Sequence, residues 1–213
     1  MNSHGLLKMQ LARIFIFGLV AVLAHSVSLA GESPVEALKS MNDQALDIVY
    51  GEAHQSASPE AKQAKILDVM ESTFDLSVVV KRAMATNWKL LTEEEQVKVV
   101  DLVKKLAVRA LYQALEGVQR PQFTYGKLIQ QNSKRAEIPV TINTGQSVIY
   151  VDFRFGRMQS GWQIFDIVAE DVSFVSNYRQ QINDHFRKSD AQALIGKLEE
   201  LLKNTTKNEE IKL

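Results

Sequence analysis

Asp166 stands out among the side chains able to do chemistry. It ends the run Gly161-Trp162-Gln163-Ile164-Phe165-Asp166, inside an apolar stretch. A carboxyl group in apolar surroundings has a displaced pKa, which suits a general base. The same residue in the same setting also serves as a buried carboxylate that pairs with arginine or caps backbone amides. Arg82 and Arg179 pose a parallel question. Each offers a bidentate grip on a phosphate, or an ion pair with Asp75 or Asp166 inside the domain. The structural role is the simpler expectation for Asp75, Arg82, Asp166, Asn177 and Arg179.

Little else points to catalysis. The sequence has no nucleophile elbow, phosphate loop, HExxH or glycine-rich dinucleotide turn. It has no cysteine, so thiol nucleophiles, thiolate-held metals and disulfides are all excluded. Of the four histidines, His4 and His25 lie near the N-terminus, while His54 and His185 are far apart in sequence, which argues against a histidine metal site. No cofactor is expected.

The elements that must position these residues begin after a distinct leader. Lys8 and Arg13 are the only charges in residues 1–30, and an apolar run from Ile14 to Ala24 precedes Ser28-Leu29-Ala30. This is the pattern of a secretory signal peptide cleaved after Ala30. The run is short for a span, which takes ~20 apolar residues. Cleavage leaves 183 residues with 23 basic and 25 acidic side chains, a balance of −2. That excludes the basic footprint of a nucleic-acid binder. Residues 31–203 are expected to form one domain and 204–213 a polar tail.

Ser33-Pro34-Val35-Glu36 reads as a capping box with proline at the first helical position. Val35, Leu38, Ala45, Leu46 and Val49 follow at helical spacing up to Gly51. Ser58-Pro59 opens a second helix, Asp75 caps a short third, and Thr92-Glu93-Glu94-Glu95 starts the longest, expected over about 93–118. After Phe123 the period changes to two, over segments near 124–131, 136–143, 146–156 and 161–170, with short turns between them. Short turns join antiparallel neighbours, so a four-stranded meander is expected. Two helices close the domain, one carrying Phe174, Tyr178, Ile182 and Phe186 at four-residue spacing. Helices segregated from a meander make an α+β domain. Its aromatic residues have core packing as their ordinary role. Periodicity leaves open whether the apolar strand faces fill a core or line a cavity.

Several of these segments resemble the MlaC family, also called the toluene-tolerance auxiliary family. Phe74-Asp75, Arg82-Ala83, Trp88 and Thr92 to Gln96 are similar to its first half. Gly161 to Ile167 resembles its Gly-Trp-x-Val-Tyr-Asp-Val strand, and Val172 to Arg179 its Val-Ser-Leu-x-x-Asn-Tyr-Arg segment. The similarity runs in order over about 35–202. Asp171 and Thr86 stand where the family commonly has glycine, and Ile182 where it has phenylalanine. The resemblance implies a cone-like, nuclear-transport-factor-like fold whose sheet and helices enclose an apolar cavity for acyl chains. It also implies a periplasmic phospholipid shuttle that maintains outer-membrane lipid asymmetry. Its partners would be an inner-membrane ABC transporter with an MCE-domain component and an outer-membrane lipoprotein–porin complex.

Such a role is physically sensible. Each CH₂ kept from water is worth ~0.8 kcal/mol, so a tail of about sixteen carbons represents roughly 12 kcal/mol. The residues expected to line the interior are Val79, Ala83 and Trp88 on the early helices, and Val103, Leu106 and Leu111 on the long helix. Ile149, Val151, Phe153, Phe165 and Ile167 on the strands and Tyr178 beyond them complete the set. Carriage of another lipid such as a hopanoid, an exported enzyme with Asp166 as base, and a protein-binding module are the alternatives.

Overall fold

A computed structural model describes residues 33–203. The expected signal peptide and polar tail lie outside the described residues. Four helices come first: α1 (Pro34–Tyr50), α2 (Pro59–Glu71), α3 (Leu76–Met84) and α4 (Glu93–Leu115), with a 3₁₀ turn at Ala85–Leu90. Their starts follow from side-chain caps. Ser33 accepts from the Val35 N–H, Ser58 from Ala61 and Asp75 from Ser77. Thr92 and Glu95 form a reciprocal capping box. The long helix stops at Leu115 rather than about 118, because the chain turns at Gly117, whose φ is +77°.

The strands are β1 (Gln122–Tyr125), β2 (Ile129–Asn132), β3 (Arg135–Asn143), β4 (Val148–Met158), β5 (Gly161–Ala169) and β6 (Val172–Ser173). They form one antiparallel sheet in the order β1-β3-β4-β5-β6, with β2 also paired to β3. The meander is as expected, but its first strand is split and a two-residue strand is added at the far edge. The split follows from Pro139 in β3. The Gly126 N–H donates to the Pro139 carbonyl at 2.8 Å, so Pro139 turns its backbone polar side toward this neighbour. It has no N–H to return, and the ladder lapses over 126–128 before resuming in β2. A Cβ on Gly126 would stand 2.7 Å from Pro139 Cγ, so only glycine allows this approach.

The chain ends in α5 (Phe174–Phe186), capped by Ser173, and α6 (Ala191–Lys203). α6 packs on α4, α3 packs on α5, and both α3 and α5 touch β5. The inner sheet face carries Ile138, Val140 and Ile142 from β3 and Ile149, Val151, Phe153 and Phe155 from β4, all buried. Alternating with these, Tyr150 is exposed and Asp152 and Arg154 are half-buried on the outer face. Phe74 meets Phe155 at 5.6 Å between ring centroids, joining the helical layer to the sheet. No helix among the described residues is long and apolar enough to cross a membrane.

Candidate functional site

Asp166 is buried, and its carboxylate is fully engaged. Oδ1 accepts from the N–H groups of Ile167 (3.0 Å) and Val175 (3.1 Å), and Oδ2 from Ser173 Oγ (2.8 Å). Arg154 reaches Oδ2 at 3.4 Å while its Nε donates to Glu137 at 2.9 Å. The carboxylate thus ties β5 to the first turn of α5. Its ionic partner is Arg154, not Arg82 or Arg179. Arg179 instead donates twice to the Arg82 carbonyl, at 2.8 and 3.2 Å, joining α5 to α3. Asp75 caps α3, and its own N–H donates to Gln163 Oε1. Asn177 is exposed on α5.

Eleven of the twelve residues expected to line the interior belong to the one apolar core. Val79, Ala83, Leu106, Leu111, Ile149, Val151, Phe153 and Ile167 are buried in it, and Trp88, Val103 and Tyr178 pack at its margin. Ile167 stands opposite Phe153 in the sheet, and Tyr178 stacks on Phe174 at 4.5 Å. Phe165 is the exception. The register slips by one residue there, so that Arg154 opposes Asp166 while Phe155 opposes Ile164. This bulge turns Phe165 out of the alternation. It lies against Gly156, which alternates with inward Phe155, and beneath the guanidinium of Arg82 at 4.4 Å.

Between α1, α4, β1 and β4 lies a void of about 30 Å³, lined by Asn42, Ala45, Leu46, Leu111, Leu115, Phe123 and Phe153. A pocket for a small ligand is commonly ~300–1,000 Å³, so this void by itself has room for little more than one water. Leu46 and Phe123 also form the floor of an open groove of about 640 Å³ between α1 and the unpaired edge of β1. Glu36, Lys39, Asp43 and Arg120 stand on its rim, two of each charge. Groove and void share Leu46 and Phe123, so a polar-walled groove at the surface leads along one seam toward an apolar void in the core.

Few polar ties close this seam. Asn42 Nδ2 donates to Tyr125 Oη at 2.9 Å, across it. Arg120 pairs with Asp47 at 2.7 Å, and the Tyr50 hydroxyl donates to the Leu115 carbonyl at 2.9 Å. Burial pushes the pKa of both Tyr50 and Tyr125 up to about 12. The importance of Asn42 and Tyr125 escaped the sequence reading. The available signal was a polar residue one turn before Ala45 and Leu46, on a face otherwise apolar.

Fold and site together define a single-sheet α+β domain of binding type. Its focus is a seam between a helix and a strand edge with an apolar inner end, and its best-placed carboxylate is spent on structure. The model of the MlaC protein family matches residues 39–200, and this chain belongs to that family. Among solved structures, it is similar to the phospholipid-binding protein from Ralstonia solanacearum, determined in complex with a phospholipid. The TM-score is 0.68 at 19% identity, over 80% of this chain and 97% of the other. At that identity the likeness is one of fold. None of the curated proteins matches this chain.

Proposed function

We propose that this protein carries phospholipid, with its acyl chains held between the sheet and the helices. The observation that carries the reading is the continuity of groove and void through Leu46 and Phe123. A tail sliding in at the α1–β1 seam would meet Leu111 and Phe153 first. Spreading the helices from the sheet would then bring it against Leu106, Val103, Val151, Ile149 and Ile167. Val79, Ala83, Trp88 and Tyr178 would close the far side. The balanced rim of Glu36, Lys39, Asp43 and Arg120 suits a head group left at the surface. Family membership and the bound phospholipid of the Ralstonia protein support the choice of ligand.

The same family supports a periplasmic location, reached by cleavage of the signal peptide. It also supports shuttling between an inner-membrane ABC transporter with an MCE-domain component and an outer-membrane lipoprotein–porin complex, with outer-membrane lipid asymmetry as the result. Binding is reversible and non-covalent, without turnover. The test is native mass spectrometry of residues 31–213 purified without detergent, with release and identification of bound material. A stoichiometric phospholipid is the expected result, and a hopanoid would redirect the ligand assignment. A bare mass with no uptake from liposomes would refute lipid carriage.

A further inference from the structure

Where α3 and α5 meet β5, Arg82, Arg179 and the strand residue Arg135 form a cluster of arginines that the seam does not use. Phe165, turned outward by the bulge in β5, is flanked by two guanidinium groups. Arg82 lies 4.4 Å and Arg135 5.4 Å from its ring centroid. Arg179 holds the Arg82 carbonyl with two hydrogen bonds, which brings a third guanidinium to the same place. None of the three makes an ion pair within 4 Å among the described residues. The carboxylates of the neighbouring strands, Glu137 and Asp166, are both bound by Arg154.

Holding like charges together has a visible cost. Burial, then the charges of Arg135 and Arg179, lower the pKa of Arg82, and Asp166 opposes them only weakly. An anion seated among the three would remove that repulsion. Planar, charged donors on an aromatic support match the oxygens of a phosphate. The surroundings favour a bilayer as its source. At the same end of the sheet, Arg157 lies over the ring of Trp162, and Met158 beside it is 41% exposed. Cations interleaved with a tryptophan and an exposed apolar side chain suit the head-group layer of a membrane.

We infer that Arg82, Arg135 and Arg179 form a phosphate-binding site whose ligand is an anionic lipid head group at a membrane surface. The site is separate from the seam and holds the whole protein against the bilayer, whether or not lipid is carried inside. The probe is flotation with vesicles rich in phosphatidylglycerol, compared with vesicles of phosphatidylcholine alone. The wild type is expected to float with the first and to be released by salt. Each arginine near an anionic surface is worth about a fivefold change in partition. R135Q should therefore lower partition about fivefold, and R82Q/R135Q about twenty-fivefold by the same figure. The charge-matched control K105Q/K188Q, both exposed and outside the cluster, should change little.

Equal flotation with both vesicle types would overturn the inference, and so would unchanged partition of R135Q, a side chain with no hydrogen bond among the described residues. Displacement by inorganic phosphate, at the concentration of exposed head groups and constant ionic strength, would reassign the site to free phosphate and sink the membrane role. Flotation counts protein held at the surface, so loss of lipid uptake with flotation intact would count only against the carrier reading.

Discussion

Asp171 stands in the turn between β5 and β6 with φ +65°, beside Glu170 at +47°. Left-handed backbone costs an L-residue energy, though aspartate tolerates it better than most. Asp171 also helps raise the pKa of Asp152, after burial and Glu137. Replacing Asp171 by glycine should stabilise the protein by about 0.5–1 kcal/mol. In a domain of this size that is about 1–4 °C in Tm, readable by thermal unfolding. A lower Tm would show that the aspartate contributes something beyond the turn. Asp166 is predicted to behave oppositely. Asp166→Asn weakens hydrogen bonds to a charged acceptor and should cost about 1–3 kcal/mol. Lipid uptake per folded molecule should be unchanged. Loss of a turnover activity in a fully stable variant would instead revive the enzyme alternative.

At the scale of elements, α1 is tied to the rest by a handful of polar contacts across the seam. Tyr125→Phe deletes the bond from Asn42 while keeping the ring. It should cost about 0.5–1.5 kcal/mol and speed exchange of a fluorescent phospholipid. Unchanged exchange would show that the seam is not the route. The tyrosines also set an alkaline limit. A folded pKa of about 12 for Tyr50 and Tyr125, against ~10 unfolded, means their contribution is fully present below pH 10. It is lost as pH rises through 12. Stability should therefore fall over that window, and less steeply in Tyr125→Phe. Helices were the legible elements, because Ser33, Ser58, Asp75 and Thr92 announce their starts locally. The split first strand was less legible. It depends on which side of β3 Pro139 turns to its neighbour, which is a property of pairing and not of period. Phe165 was misplaced for a related reason. Strict alternation puts it beside Ile167, but the bulge opposite Arg154 resets the phase.

For the whole molecule, a void of about 30 Å³ at the α1–β1 seam is too small for an acyl chain, so the proposed loading by this route requires the layers there to separate. The layers should not be equally firm. β3, β4 and β5 are continuously paired over most of their length, whereas α1 has no strand pairing and is held by side-chain packing, Leu38, Met41, Leu46 and Ile48 among it. Native-state hydrogen exchange should find α1 opening at lower free energy than the central strands. Bound phospholipid should slow exchange in α1 most. If α1 is among the last amides to exchange, the seam cannot be the moving part. Of the site, the apolar character was legible from sequence and the mouth was not. The mouth joins Leu46 to Phe123 across distant parts of the chain, and no local pattern records that meeting.

The break at Pro139 and Gly126 also bears on how the protein behaves in company. A long unpaired strand edge is a template for another chain and a start for edge-to-edge aggregation. Here one edge is interrupted after four residues and the other is a two-residue strand. Under the proposed carriage the layers part repeatedly and expose apolar surface, and these short edges would then offer other copies little continuous backbone on which to polymerise.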